Sequence, residues 1–246
     1  MLPPIPHNPA LFIDVDGTLL EIAARPEDVR VDQALLGQLR RIQQGLSGAV
    51  ALLSGRPIEQ LSRLFAPLEL PMAGLHGVER RAADGRVTVV GVPQAAIDHA
   101  RGVLRGLVEA HAGLMLEDKS RSVAVHYRRV PRLEPLVEQA CGELVKQLGE
   151  DFHVQRGLLV REIKPRAADK GTALQEFMSE EPFRHRRPVA IGDDVTDEDA
   201  FRAAERCGGF SIAVSDPVRG RLRLPGPRAL RGWLTMLAEQ LARPSG

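Results

Sequence analysis

The sequence has only two cysteines, Cys141 and Cys207, and neither stands at metal-ligand spacing from a histidine or from the other cysteine. That excludes a thiolate zinc site and a disulfide framework, and two free thiols in a reducing compartment are expected in preference to a lone bridge. Aromatic residues make up 4% of the chain, too few for a platform that stacks nucleic-acid bases. Neither sign of charge dominates: 33 Lys and Arg against 32 Asp and Glu leave a net charge of +1. No bulk field therefore draws the chain to nucleic acid or to an anionic membrane. No apolar run approaches the roughly 20 residues that cross a bilayer. Residues 1–20 have no basic n-region and are broken by Asp14 and Asp16, so they do not read as a signal peptide. A cytoplasmic protein without nucleic-acid or membrane partners is expected.

What is present is 246 residues, 43% hydrophobic and 26% charged, enough for one large domain or two small ones. Leu11-Phe12-Ile13 and residues 49–53 read as buried strands, ended by Asp16-Gly17-Thr18 and by Ser54-Gly55. Leu35, Leu36, Leu39, Ile42 and Leu46 recur at helical spacing, and Pro57 opens a helix carrying Ile58, Leu61 and Leu64. Short runs at 71–75, 78–81 and 87–90 follow, with a hairpin turn at Asp84-Gly85. The middle of the chain changes character. Residues 95–112 and 133–148 read as amphipathic helices, and 114–116, 122–127, 153–154 and 158–163 as strands. Two of those strands alternate apolar and polar residues, as a sheet with one wet face does. Strand–helix alternation then returns: helix 171–178, strand 189–191, helix 197–204, strand 210–214 and a closing helix 229–242. Residues 219–231, rich in Arg, Pro and Gly, read as an irregular surface loop. The pattern predicts an α/β fold: a doubly wound, mostly parallel sheet from 1–92 and 168–246, with a smaller α+β domain inserted at 93–167.

Asp14-Val15-Asp16-Gly17-Thr18 places two carboxylates two residues apart at the carboxyl end of the first strand. Open α/β sheets bind ligands at that edge. An acid there needs a cation or hydrogen bonds to offset its burial, and Mg2+ suits one or two carboxylates plus water and phosphate oxygens. A carboxylate can also attack phosphorus once a metal cancels charge on both partners. A second carboxylate can protonate the leaving oxygen and then activate water. Taken alone, the same residues are as well explained by an Asx turn before a helix. Three further stretches carry similar alternatives. Ser54-Gly55-Arg56 offers a hydroxyl and backbone N–H groups to phosphate, or is a plain strand-to-helix turn. Asp169-Lys170-Gly171-Thr172 offers a point charge, or a solvated lysine beside a helix cap. Residues 193–199 hold five acids just after a buried strand. A helix cap explains one of them, but not Asp193 and Asp194 at the strand end.

The order of these four stretches resembles that of the haloacid-dehalogenase-like (HAD) phosphatases. The resemblance implies Asp14 as nucleophile, Asp16 as general acid/base, and Ser54 and Lys170 as stabilisers of the phosphate and the nucleophile. It implies Mg2+ held by Asp14, the backbone carbonyl of Asp16, and Asp193, with Asp194 and Asp197 orienting the others or acting through water. Gly55, Arg56 and Asp194 are counted with the substrate-binding residues. Four more stretches narrow the resemblance to trehalose-6-phosphate phosphatases, over about residues 11–214. They are Gly74-Leu75-His76-Gly77-Val78-Glu79, Glu117-Asp118-Lys119, Ala124-Val125-His126-Tyr127-Arg128 and Arg161-Glu162-Ile163-Lys164-Pro165. Ser120 departs from the pattern, where a glycine is expected. The resemblance implies that the insert is a cap and that trehalose 6-phosphate is the substrate. Glu117, Lys119, His126, Arg128 and Glu162 are then its sugar contacts, Glu162 foremost. A charged, solvated sheet face is the alternative for each. His76 is a substrate-binding candidate for which a structural role near the hinge is slightly favoured. Rival readings are a phosphatase of the sucrose-phosphate or mannosyl-phosphoglycerate type, a phosphomutase, and a silent sugar-phosphate-binding module. A monomer with a functional link to a trehalose-phosphate synthase is expected.

Overall fold

The structure is a computed structural model that describes residues 3–22, 28–91, 93–119, 121–166, 168–215 and 218–242. Ser120 lies outside the described residues. The chain begins with β1 (Pro9–Asp14), α1 (Gln33–Gly45), β2 (Val50–Leu53), α2 (Ile58–Phe65), β3 (Met72–Gly74), β4 (Glu79–Arg81) and β5 (Val87–Val89). It continues with α3 (Gln94–Ala110), β6 (Met115–Asp118), β7 (Val123–His126), α4 (Glu134–Leu148), β8 (Phe152–Gly157) and β9 (Val160–Pro165). It ends with α5 (Lys170–Met178), β10 (Arg187–Gly192), α6 (Glu198–Arg206), β11 (Phe210–Val214), β12 (Leu222–Leu224) and α7 (Pro227–Leu241). The elements form two compact units, residues 1–88 with 169–246, and residues 89–168.

The first unit is built on a sheet of order β12-β11-β10-β1-β2-β3-β4-β5. Strand β1 runs parallel to both neighbours, with Leu11 opposite Val50 of β2 and Val189 of β10. All six residues of β1 are buried, which is why it reads as one apolar run: a parallel strand covered on both faces has no wet side. After β1 the chain winds to one side through β2 and β3, and it later returns to the other side at β10. That reversal opens a crevice at the carboxyl ends of β1 and β10, where Asp14 and Gly192 stand. Beneath it, Phe12, Phe177 and Phe183 pack with ring centroids 5.2 to 6.0 Å apart. At the closing helix, Trp233 Nε1 donates to Pro3 O at 2.8 Å, tying α7 to the start of the chain.

The second unit is an antiparallel sheet of order β6-β7-β9-β8, with α3 and α4 packed on one face. Ile97, Leu104, Val125, Val137, Leu144, Phe152 and Ile163 fill its core. Cys141 is buried there as a free thiol, and burial pushes its pKa up to about 12; Cys207, in the first unit, is free and exposed. Arg161 also points to the helix side, where it donates to Tyr127 Oη and to Glu134 at 2.5 Å and pairs with Glu138.

The α/β reading holds, and two local expectations are corrected. Residues 219–231 are not an irregular loop. Leu222 and Leu224 pair with Ile212 and Val214 as the edge strand β12, and Pro227 starts α7 as its first residue. Arginines between the leucines hid the alternation: Leu224 is buried while Arg221 and Arg223 are exposed, which suits an edge. The strand expected at 158–163 begins only at Val160, because Leu158 and Leu159 form the turn between β8 and β9. Leu159 adopts φ 59°, a conformation that its side chain does not advertise.

Phe177→Ala is expected to remove about 3–5 kcal/mol from the first unit by leaving a cavity beside Phe12 and Phe183. A urea midpoint that falls with an unchanged slope checks this.

Candidate active site

Asp14 is the last residue of β1, and Lys170 is the first of α5; they are 6% and 2% exposed. Lys170 Nζ donates to Asp14 Oδ1 at 2.7 Å and to Asp197 Oδ1 at 2.6 Å. Two local devices deliver that lysine. Asp169 caps α5 by accepting from Thr172 N at 2.7 Å. Gly171 lets the helix end approach α6, since a Cβ there would lie 2.5 Å from Asp199 O. Asp197 is then saturated: its Oδ2 accepts the backbone N–H groups of Asp193 and Asp194, both at 3.0 Å. Asp194 returns the bond, capping the turn Val195–Asp197 with its side chain.

Asp193 faces Asp14 from the loop after β10. Its Oδ1 accepts Thr18 Oγ1 at 2.6 Å, and one of its carboxylate oxygens lies within 4.8 Å of one on Asp14. Gly17 makes room for it at φ 88°, where a Cβ would sit 2.2 Å from Asp193 Oδ2. Asp14, Asp193 and Asp197 thus bring carboxylate oxygens within 4.8 Å of one another around a single ammonium. Burial raises the Asp14 carboxyl well above its usual range; Lys170 opposes this, and Asp197 and Asp193 reinforce it. Burial likewise pushes Asp193 up to about 6, against the Thr18 hydrogen bond. Asp194 is raised by burial, with the Val195 N–H working against it. Burial would lower Lys170, but Asp14 and Asp197 overcome it and hold the ammonium charged.

This donor set fits a hard divalent cation. Two carboxylates with oxygens within 4.8 Å of each other repel when both are ionised, and a cation held by oxygen ligands offsets that repulsion. Asp197 is spent on Lys170 and two amides, so Asp14 and Asp193 are the available pair. The Asp16 side chain is outside the cluster. It turns to Arg56, whose Nε and Nη2 donate to its two oxygens at 2.6 and 2.7 Å. That leaves only its backbone as a candidate ligand.

Ser54 follows β2 and is buried; its Oγ accepts the Arg56 N–H at 3.1 Å. His76 lies in a left-handed run, with φ 51° at Leu75, 56° at His76 and 104° at Gly77. Its N–H donates to Ser54 O at 2.9 Å, and its ring covers Gly55 so closely that a Cβ there would lie 2.7 Å from Nε2. In the second unit, the register puts Glu117, Ala124 and Glu162 in one row, with His126 and Ser122 on the same face. His126 Nε2 meets Glu117 Oε2 at 2.8 Å. Glu162 accepts Lys119 Nζ at 2.9 Å and Ser122 Oγ at 2.6 Å, and it is buried rather than solvated. Burial raises Glu117, but the His126 bond and the Lys119 charge win and hold it below its usual value. Arg128 lies in an exposed turn beyond β7, off this row. Sequence reading did not single out Thr18; its place in Asp-X-Asp-Gly-Thr was the only signal.

The trehalose-phosphatase family model matches residues 12–221, a span that contains every residue of this cluster. The chain belongs to the trehalose-phosphatase family. It is 42% identical over 234 residues to a "probable trehalose-phosphate phosphatase" of Sinorhizobium fredii, covering 94% of this chain and 88% of that one. It is 36% identical over 248 residues to the trehalose-6-phosphate phosphatase of Escherichia coli, covering 98% and 93%. The C-terminal domain of C. albicans trehalose-6-phosphate phosphatase shares the fold, with a TM-score of 0.84 at 19% identity over 94% of this chain and 93% of that one. In this member of the trehalose-phosphatase family, no helix among the described residues is long and apolar enough to cross a membrane.

The raised Asp193 pKa predicts how metal-free protein responds to pH. A carboxyl that holds its proton up to about 6 when folded, against 3.8 otherwise, destabilises the fold as pH rises through that window. Asp193→Asn should therefore raise the metal-free melting temperature at pH 7 and leave it unchanged at pH 4. The gain should be on the order of 1–2 kcal/mol, after solvent screening discounts the roughly 1.4 kcal/mol per pKa unit. Calorimetry at both pH values checks it, and saturating Mg2+ should stabilise the wild type more than the variant.

Proposed function

We propose that the chain hydrolyses trehalose 6-phosphate to trehalose and phosphate through an aspartyl-phosphate on Asp14. The observation that supports the chemistry most directly is the buried Asp14 carboxylate, aligned by Lys170 at the mouth of the central strand. Family membership supports the substrate.

The Asp14 carboxylate attacks phosphorus, and the bond to O6 of the sugar breaks. Asp16 gives its proton to the departing O6, and trehalose leaves. Asp16 then takes a proton from water, whose oxygen attacks the aspartyl-phosphate, releasing phosphate and restoring Asp14. For either transfer the Asp16 side chain must leave Arg56. Lys170, the Ser54 hydroxyl and the N–H groups of the Gly55-Arg56 turn offset charge on the transferring phosphoryl oxygens. Mg2+, held by Asp14, Asp193 and the Asp16 carbonyl, would supply the remaining positive charge. Asp197 positions Lys170 and the loop carrying Asp193, and Asp194 works with it as a cap rather than as a ligand. His76 shapes the phosphate turn by packing on Gly55. Glu117, His126, Lys119 and Glu162 form a row of fixed donors and acceptors suited to sugar hydroxyls, with Arg128 at its margin. The reading is of a monomeric, cytoplasmic enzyme that acts after a trehalose-phosphate synthase.

Asp14→Asn should lower phosphate release by about 10^3-fold or more while the far-ultraviolet circular dichroism is unchanged. Near-wild-type turnover would sink the mechanism. Dialysis against EDTA should silence the enzyme until Mg2+ is restored. In a sugar-phosphate panel, kcat/KM for trehalose 6-phosphate should exceed that for glucose 6-phosphate by more than about tenfold. A flat profile points instead to a generalist.

A further inference from the structure

Leu75, His76 and Gly77 stand in succession at φ 51°, 56° and 104°. Two of them are not glycine, and a left-handed run of that kind persists only where its surroundings fix it. On one side it is fixed by the turn at 54–56. Leu75 N–H donates to Arg56 O at 3.1 Å, and His76 N–H donates to Ser54 O at 2.9 Å. Glu79 accepts the Ile58 N–H at 3.0 Å and so anchors the run to the start of α2, where Pro57 supplies no side-chain cap. The other side of the run meets α5. Gly77 packs on Asp169 so closely that a Cβ there would lie 2.4 Å from Asp169 O. Asp169 is the cap of α5, and Lys170 is the first residue of that helix. The strained run thus touches both the turn that carries Ser54 and the helix end that carries Lys170.

We propose that Gly77 is a positioning residue: by its close approach to Asp169, the left-handed run sets the separation between Ser54 and Lys170 so that both meet one phosphoryl group. The inference rests on the phosphate roles proposed above for Ser54 and Lys170. The turn at 54–56 is tied into the sheet, where Ser54 N–H donates to Ala73 O at 2.9 Å. A side chain at position 77 therefore displaces Asp169, and Lys170 behind it, rather than the turn. The shift needed to reach ordinary contact is about 1 Å, and a misplacement of that size at a reacting centre costs up to about a hundredfold in rate.

Gly77→Ala tests this in the full chain, with p-nitrophenyl phosphate as substrate and inorganic phosphate as ligand, both in the presence of Mg2+. The variant's kcat should fall about tenfold to a hundredfold. Its phosphate affinity, by calorimetric titration, should weaken about fivefold or more. Mg2+ affinity of the metal-free variant should hold or rise, because Asp14 and Asp193 keep their places and Lys170 competes less for Asp14. Gly85→Ala is the control. Gly85 has φ 83°, and a Cβ there would meet nothing within 4 Å, so this change strains the backbone without pushing on a neighbour. It should leave kcat and phosphate affinity at their wild-type values. Wild-type kcat and phosphate affinity in Gly77→Ala overturn the proposal, and so does an equal loss in Gly85→Ala. A parallel fall in Mg2+ affinity overturns it too, since that marks general damage to the carboxylate cluster. If Gly77→Ala does not fold, Glu79→Ala reads the run from its α2 end: phosphate affinity should weaken about threefold or more, and unchanged affinity overturns the proposal. So does the absence of phosphate binding by the wild type at millimolar concentration. Phosphate binding needs no turnover, so a phosphate affinity that depends on Gly77 in a protein that hydrolyses no monoester keeps the positioning role and sinks the phosphatase reading instead.

Discussion

One ammonium holds the catalytic end of this protein together. Lys170 is almost wholly buried between Asp14 and Asp197, at 2.7 and 2.6 Å. Desolvating each of these ions costs several kcal/mol, so the group is tolerable only because every partner is satisfied. Asp197 shows how complete that is: one oxygen takes the lysine, and the other takes two amides of its own loop. The same arrangement fixes the loop that carries Asp193 and sets it against Asp14. What the lysine does not neutralise is the second negative charge between Asp14 and Asp193. That residual charge is the physical demand for a divalent cation.

The two acids of Asp-X-Asp are separated by environment. Asp14 is buried beside Lys170, whereas Asp16 is partly exposed and forked onto Arg56. The proposed roles suit these environments: a nucleophile at Asp14 would benefit from being aligned and desolvated, and an acid/base at Asp16 from being able to move. The second unit shows a related economy. Its sheet packs apolar residues and Arg161 toward the helices, and it places Glu117, His126, Lys119 and Glu162 on the opposite face as two joined pairs. Hydrogen-bonded pairs keep their orientation without a ligand, which suits recognition of hydroxyls that need fixed geometry.

Much of this was legible in the chain. The apolar runs before Asp14, Ser54 and Asp193 marked parallel strands, because strands covered on both faces have no polar positions to interrupt them. The alternation around Val123 to His126 marked a different kind of sheet. The strand at Leu222 and Leu224 was not legible, because Arg and Gly at an exposed edge look like loop. The Leu158-Leu159 turn was hidden for the opposite reason: apolar residues occupy it, one of them with positive φ. The partnership of Arg56 with Asp16 had no signal in spacing, since 40 residues separate them.

The sequence by itself determined the identity and order of the candidate reactive groups. An apolar strand followed by paired acids, a hydroxyl turn, a lysine at a helix start and an acidic loop is a local pattern, written within a few residues each time. Only the tertiary structure decided which acid meets which cation. Asp197, not Asp194, takes Lys170; Thr18 holds Asp193; Asp16 faces Arg56. Those choices depend on where β1, β2 and β10 end and on how closely α5 can approach α6 over Gly171. Strand order and helix approach come from core packing across the whole chain, and no local stretch encodes them.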